Sequence, residues 1–372
     1  MVSWATPPNM VEILPFTYQE LANRLPCPSQ VYTPILRPCV PASLRTLRSR
    51  LRSGTLTGMK AIVIREFGGP EKLELAEMPL PTPAAHEVRV RVRAASVNPV
   101  DYKIRQSGSW ARVPLPAILG YDAAGVVDAV GASVTHLAPG DEVFYSARIF
   151  GRQGTYAEYH VEDADIVAKK PPSLSFEEAA SLPLAAITAY DSVITFFQTK
   201  PGDTVLVHAG AGGVGVFAVQ LAKAAGARVI ATGRSENGDF IRSYGADEVI
   251  DYRKARFEDE VNRLTDGRGA DAAFDTVGGD TISRSIGCVR AYGKLATIVS
   301  VEGSINGMQI RNQSLYFGFM ERTHEKIQAL AMLAARGQIR PVIDSTFPLD
   351  RVAAAHEKLQ HGGMRGKIVI TI

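Results

Sequence analysis

Residues 87–94 alternate with a period of two. Val88, Val90 and Val92 fall on one face, and Arg89, Arg91 and Arg93 on the other. That is the pattern of a strand with one side buried. Short apolar runs at 59–64, 125–130, 141–145 and 156–161 repeat the style, punctuated by Gly, Pro and Asp. This first part is expected to be a compact barrel or sandwich.

From about residue 181 the rhythm changes. Apolar strands are expected at 204–208, 228–232, 248–252, 272–276 and 295–299, with helical stretches between them. Val214, Phe217, Ala218, Leu221 and Ala225 share helical spacing. Repeated βα units of this length predict a parallel sheet covered on both faces. A helix at 325–336 and a return to β at 367–372 resume the first style. The chain therefore reads as α/β with two domains, one built from 59–182 and 319–372, the other inserted as 183–318.

A chain of 372 residues with 46% hydrophobic and 21% charged residues has the composition of a globular protein. Its three cysteines, Cys27, Cys39 and Cys288, form neither a disulfide framework nor a metal-ligand spacing. This fits a reducing compartment, and the cytoplasm is expected. No apolar run is long enough for a membrane helix. Charge is uneven. Residues 1–58 hold six Arg and two Glu, a net of +4, which leaves −1 of the total +3 for the rest. The body offers no global attraction for nucleic acid. Residues 1–58 lack sustained periodicity and read as a disordered extension. An Arg- and Ser-rich, acid-poor stretch at 43–58 keeps a mitochondrial transit peptide open.

The chemistry begins at His208-Ala-Gly-Ala-Gly-Gly-Val-Gly215. Gly210, Gly212 and Gly215 stand at G-x-G-x-x-G spacing, with Ala211, Gly213 and Val214 between them. The loop follows an expected strand and opens an expected helix. In that context the glycines permit a tight turn and close approach to a pyrophosphate at a helix N-terminus. The end of the next strand reads Thr232-Gly233-Arg234-Ser235, with no acid until Glu236. An NAD site places a carboxylate there for the ribose 2′-hydroxyl, whereas a 2′-phosphate calls for an arginine or small polar group. Arg234 and Ser235, with Tyr252 at the end of the third strand, therefore point to NADPH.

With these residues in place the chain resembles the medium-chain dehydrogenase/reductases, in their zinc-independent quinone oxidoreductase branch. The motifs are MKAIVIREFGGPE from Met59, AASVNPVDYKIR around Asn98, GYDAAGVV from Gly120, PLAAITAY ending at Tyr190, the glycine loop, FDTVGG from Phe274 and RGKIVI from Arg365. Together they span all but residues 1–58. The resemblance implies a GroES-like β-barrel catalytic domain, a doubly wound Rossmann domain, and a homodimer or homotetramer. It also implies cofactor contacts from Asn98, Thr188, Val277, Gly278, Arg365 and Lys367.

Zinc-dependent relatives carry Cys in the segment matching Ala95–Asn98, and Gly-His-Glu where this chain has Gly120-Tyr121-Asp122. No Cys lies between Met59 and Gly287, so no metal is expected. Without a Lewis acid the acceptor must already be electrophilic, as a quinone or an α,β-unsaturated carbonyl is. By resemblance Lys103 is the candidate oxyanion stabiliser and proton donor. Tyr102 and Tyr121 are further candidates, Tyr121 standing in place of the zinc-ligand histidine. Asp101 reads as the cap of a short helix, and His208 as a packing residue. Trp110, Tyr145, Phe150 and Phe317–Phe319 are expected to shape the acceptor pocket. A trans-2-enoyl-thioester reductase and a non-catalytic NADPH-binding protein remain as alternatives.

Overall fold

A computed structural model describes residues 58–372. The extension expected at the N-terminus lies outside the described residues, apart from Gly58, which opens the first strand.

The first part contains β1 (Gly58–Ile64), β2 (Glu74–Pro79), β3 (Glu87–Val97), α1 (Pro99–Ser107), β4 (Ala117–Ile118), β5 (Asp122–Val130), β6 (Glu142–Ser146), β7 (Tyr159–Asp163) and β8 (Ala168–Lys169). Two short helices follow, α2 (Phe176–Ala180) and α3 (Pro183–Tyr190), the latter running into a π-helical segment, Asp191–Phe196. Then come β9 (Thr204–Val207), α4 (Gly215–Ala224), β10 (Arg228–Gly233), α5 (Gly238–Ser243), β11 (Glu248–Asp251), α6 (Phe257–Leu264), β12 (Ala270–Asp275), α7 (Thr281–Ser285), β13 (Val289–Thr297) and β14 (Ser314–Phe317). The chain ends with α8 (His324–Ala335), β15 (Ile343–Pro348), α9 (Val352–His361) and β16 (Lys367–Thr371).

Strands β9 to β14 form one six-stranded sheet in the order β11-β10-β9-β12-β13-β14, and its pairings are all parallel. Its central strands are buried on both faces, as the unbroken apolar run Thr204–Val207 requires. The mean strand order reverses between β9 and β12, so a crevice opens outside the carboxyl ends of these strands. The glycine loop leaves β9 at that point.

The other large sheet runs β15-β16-β3-β5-β6-β8, with β7 also on β3. Val88, Val90 and Val92 face the core, and Arg91 and Arg93 stay exposed. The alternation then gives way to Ala94-Ala95-Ser96-Val97, buried on both faces, because β16 joins that half of the strand. Thus β3 ends at Val97 with Asn98 facing the crevice side of the interior, and the C-terminal strand lies beside it. Among the described residues no helix is long and apolar enough to cross a membrane.

Candidate active site

The glycine loop is tight because its neighbours leave no room for side chains. A Cβ on Gly215 would lie 2.1 Å from the Ala209 carbonyl oxygen, and one on Gly210 2.9 Å from the Ala231 Cβ. Gly210 N–H donates to Thr232 O at 2.9 Å, and Ala209 N–H to Thr232 Oγ1 at 3.1 Å. These bonds lash the loop to β10 and aim the N-terminus of α4 into the crevice. Gly366 N–H donates to Ala211 O at 2.9 Å. The C-terminal strand therefore touches the loop, and a Cβ on Gly213 would meet Gly366 O at 3.2 Å and Lys367 Cδ at 3.3 Å. This is a backbone cradle that fits a pyrophosphate, held by Gly210 to Gly215.

At the end of β10, Gly233 is needed because a Cβ would lie 2.4 Å from Ile241 Cδ1. Arg234 Nε donates to Tyr252 Oη at 3.4 Å, and Arg234 Nη1 stands 3.8 Å from Glu236 Oε1. Asp251 ends β11 close by, a carboxylate that sequence spacing did not bring to this place. Its Oδ2 accepts from both the Ser235 N–H and the Ser235 hydroxyl, and its Oδ1 from Arg253 N–H. The Ser235 bond leads the effects that hold this carboxyl below its ordinary value. Asp251 is thus spent on shaping the turn. Arg365 reaches the same end, with Nε on Asn237 Oδ1 at 2.7 Å and Nη2 on Glu236 O at 2.8 Å.

Asp275 shapes the turn at the crevice floor. Its Oδ1 accepts from Val277 N–H and Gly278 N–H, and its Oδ2 from Thr297 Oγ1. Val277 is left exposed above it, and Gly278 takes φ +91°. Thr188 is buried on α3, its hydroxyl donating to Leu184 O at 2.7 Å.

A polar cluster lies where barrel and crevice meet. Asp122, at the start of β5, accepts at Oδ2 from Ser96 Oγ (2.7 Å) and Asn98 Nδ2 (2.8 Å), and at Oδ1 from Leu184 N–H (2.7 Å), the N-terminus of α3. Lys367 Nζ donates to Asn98 Oδ1 and to Val97 O, and stands 3.7 Å from Asp122 Oδ2. Asn98, Asp122 and Lys367 are all buried. Burial leads the shifts of both charges, raising the Asp122 carboxyl and lowering the Lys367 ammonium, because their separation is too long for pairing to offset desolvation. Asn98 has its amide fixed on both sides.

Asp101 does cap α1, its Oδ2 accepting from Asn98 N–H at 2.7 Å. The same oxygen accepts from Tyr156 Oη at 2.7 Å, and the other, Oδ1, is buried without a partner. Burial pushes this carboxyl up to about 7. A chain of contacts stands behind it. Arg105 Nη1 faces His356 Nδ1 at 3.3 Å, and His356 Nε2 faces Tyr156 Oη at 3.3 Å. Arginine only donates, so His356 accepts at Nδ1 and carries its proton on Nε2. Tyr121 is fully buried and its hydroxyl has no partner. Lys103 projects from the exposed face of α1, and Tyr102 is half-buried beside it. His208 packs as expected, with Nε2 at 3.0 Å from Ser285 Oγ and its ring edge-on to Phe257.

Trp110, Phe150 and Phe319 gather their rings at 5.8–6.0 Å centroid spacing. Tyr145 does not join them. It is fully buried in the barrel, its hydroxyl 3.0 Å from His160 Nδ1. Sequence reasoning also missed the parts played by Asp122, Tyr156, His356 and Arg105. Asp122 and Arg105 lie inside the GYDAAGVV and AASVNPVDYKIR stretches, but nothing along the chain links Arg105 to His356, 251 residues away.

The family model described as "Alcohol dehydrogenase GroES-like domain" matches residues 84–172, and "Zinc-binding dehydrogenase" matches residues 244–370. The quinone oxidoreductase of Homo sapiens is 34% identical over 327 residues, covering 84% of this chain and 98% of that protein. That of Pseudomonas aeruginosa is 37% identical over 325 residues, covering 84% and 99%. The chain belongs to the zinc-independent quinone oxidoreductase branch of the medium-chain dehydrogenase/reductases. Two solved structures share the fold, and the first of them carries the name of the branch. The Escherichia coli quinone oxidoreductase complexed with NADPH has a TM-score of 0.75 at 32% identity, covering 84% of this chain and 100% of that one. A structure described as an NAD-dependent alcohol dehydrogenase has a TM-score of 0.80 at 36% identity, covering 84% and 100%. The word zinc in the second family description has no matching donor set at this crevice. Asn98, Tyr121 and Asp122 occupy the positions, and an amide and a phenol are poor ligands for a d¹⁰ cation. Among the described residues, His86, Glu87 and Asp163 approach one another on the barrel surface, but both carboxylates are already paired with arginines.

Proposed function

We infer that this chain is an oxidoreductase that passes hydride from NADPH to a quinone or an α,β-unsaturated carbonyl. The observation that carries this reading is the contact of the glycine cradle, through Gly366 and Lys367, with the polar cluster around Asn98. The nicotinamide, when bound, supplies the hydride. The protein's own residues do the rest. Gly210 to Gly215 and the N-terminus of α4 take the pyrophosphate. Val277, Gly278 and Thr188 border the nicotinamide end. Asn98, locked by Asp122 and Lys367, makes a rigid wall beside it. Holding donor and acceptor close and aligned is worth several kcal/mol of the barrier, on the order of 7 where orientation is complete. Lys103 and Tyr102 stand as the proton-supplying pair at the solvent side of α1.

NADPH rather than NADH is favoured by three local features. Arg234 is held beside Tyr252, Arg365 closes on the same turn, and the nearby carboxylate of Asp251 is consumed by Ser235 and Arg253. Arg234→Ala is expected to lower the preference for NADPH over NADH by at least tenfold, read from Kd values for both. An unchanged ratio would overturn the assignment. The activity itself is tested by following NADPH oxidation with 9,10-phenanthrenequinone, a short enone, crotonyl-CoA and a simple ketone. Quinone or enone turnover without ketone turnover is expected. Turnover of crotonyl-CoA alone would make the chain an enoyl-thioester reductase. A homodimer or homotetramer is the expected assembly, with Ile310 and Phe317, 87% and 61% exposed beside and on edge strand β14, offering an apolar surface for it.

A further inference from the structure

Arg322 lies between β14 and α8, on a segment pinned from both sides. The Phe319 ring lies 5.8 Å from that of Phe150, and Glu321 N–H donates to Asp191 Oδ2 at 3.2 Å. Thr323 caps α8, and His324 Nδ1 stands 3.1 Å from Asp165 O. The backbone is therefore held against the barrel and the end of α3, and the guanidinium turns inward. Its Nε and Nη2 are shielded from solvent and have no hydrogen-bond partner.

A shielded cation without an anion is costly, and so is each unmet donor. The groups whose charge reaches it are Asp122, Glu162 and Tyr121, with Arg148 opposing. None is in salt-bridge contact with it. The Asp122 oxygens are taken by Ser96, Asn98 and Leu184, and the Glu162 oxygens by Arg148 N–H and Asp163 N–H. Tyr121, the one neutral neighbour, has an unpartnered hydroxyl, and so does Asp101 an unpartnered Oδ1. Arg322 and Tyr121 thus leave buried donors unmet close together, and Phe319, on the same segment as Arg322, packs its ring on Phe150, which in turn meets Trp110.

We propose that Arg322, with the Tyr121 hydroxyl beside it, holds the acceptor oxygen that becomes negative during hydride transfer. This rests on the reductase reading above and adds the group that receives the charge. Hydride brings an electron pair to the acceptor, and a pair from the acceptor's π-system moves onto its oxygen, giving a hydroquinone anion or an enolate. Arg322 donates to that oxygen from Nε–H and Nη2–H and keeps its own protons. The proton that completes the product comes from the Lys103 and Tyr102 side of α1, which solvent water reprotonates. Burial lowers the Arg322 guanidinium to about 10, which still leaves it charged at neutral pH. Lys103, exposed and hydrated, lacks the low-dielectric setting in which such a donor is strong.

The test uses the full chain and 4-nitrophenol, whose coloured anion imitates the hydroquinone anion. Bound nitrophenol is expected to ionise at least one pH unit below free nitrophenol, both with and without NADP⁺. Arg322→Gln is expected to remove that shift and to lower kcat for phenanthrenequinone by about 10²- to 10³-fold at unchanged NADPH affinity. Arg322→Lys restores part of both, and Lys103→Ala keeps the shift. A folded Arg322→Gln protein, with wild-type unfolding midpoint and NADPH affinity, that still ionises nitrophenol early overturns the proposal. So does a wild-type protein that does not bind the phenolate. An Arg322-dependent shift in a protein that reduces no acceptor sinks the reductase reading and leaves the anion pocket standing.

Discussion

Asp101 shows how one atom's surroundings set a measurable property. Its carboxyl is buried, shares one oxygen between Asn98 N–H and Tyr156 Oη, and leaves the other unpaired. Its value rises from 3.8 to about 7, with burial as the leading cause. Between those two values the folded protein keeps this proton while the unfolded chain has lost it. Asp101 therefore costs no stability below 3.8, and an increasing amount as pH climbs toward about 7, at up to about 1.4 kcal/mol per pH unit. Asp101→Asn keeps an acceptor oxygen and removes the titration. The urea midpoint of the variant is expected to gain on the wild type between pH 4 and pH 7. An equal difference between the two proteins at both pH values would show that folding does not raise the Asp101 carboxyl. The residue was legible in the sequence only as a helix cap, because the burial that changes its chemistry comes from Tyr156 and the strands around it.

Among the elements, α3 depends on a side chain it does not own. Asp122 on β5 accepts the Leu184 N–H at the start of α3 and also ties down Ser96, Asn98 and Lys367. Asp122→Ala leaves the buried Lys367 without its counter-charge and α3 without its cap, for an expected loss of about 3–5 kcal/mol in urea unfolding. Asp122→Asn, which keeps one acceptor, is expected to lose less. A loss of under about 1 kcal/mol for the alanine variant would show that the cluster contributes no stability. Periodicity located the strands that bury one full face, such as β3, and the helices flanking the parallel sheet. It missed β2, β14, β15 and α9, whose residues are mostly half-exposed and carry no sustained repeat. The cofactor cradle was legible because it is local, eight consecutive residues. The Asn98–Lys367 contact spans 269 positions and leaves no local trace.

At the scale of the molecule, one buried apolar cluster holds the two sheets together. Ala94, Ala124, Phe144 and Val369 from one sheet belong to the same core as Val205, Val207 and Ala231 from the other, bridged by α2, α3 and α4. A shared core predicts a single unfolding transition by calorimetry, moved upward by saturating NADPH through binding to the folded state alone. Two resolved endotherms, only one of them moved by NADPH, would show that the sheets unfold separately. The C-terminal strand has a further consequence, and it concerns synthesis. Ala94–Val97 pairs on one side with Ile368–Thr371. While the chain is being translated, that half of β3 waits with an open edge, and the Asn98 end of the crevice lacks Lys367. Lys367 lies 269 positions beyond Asn98, so a long stretch of chain must leave the ribosome before either is completed, and an unpaired central strand is a place where nascent chains join wrongly. The crevice is thus closed by segments far apart in the chain, and it is open to mispairing in the interval before β16 emerges.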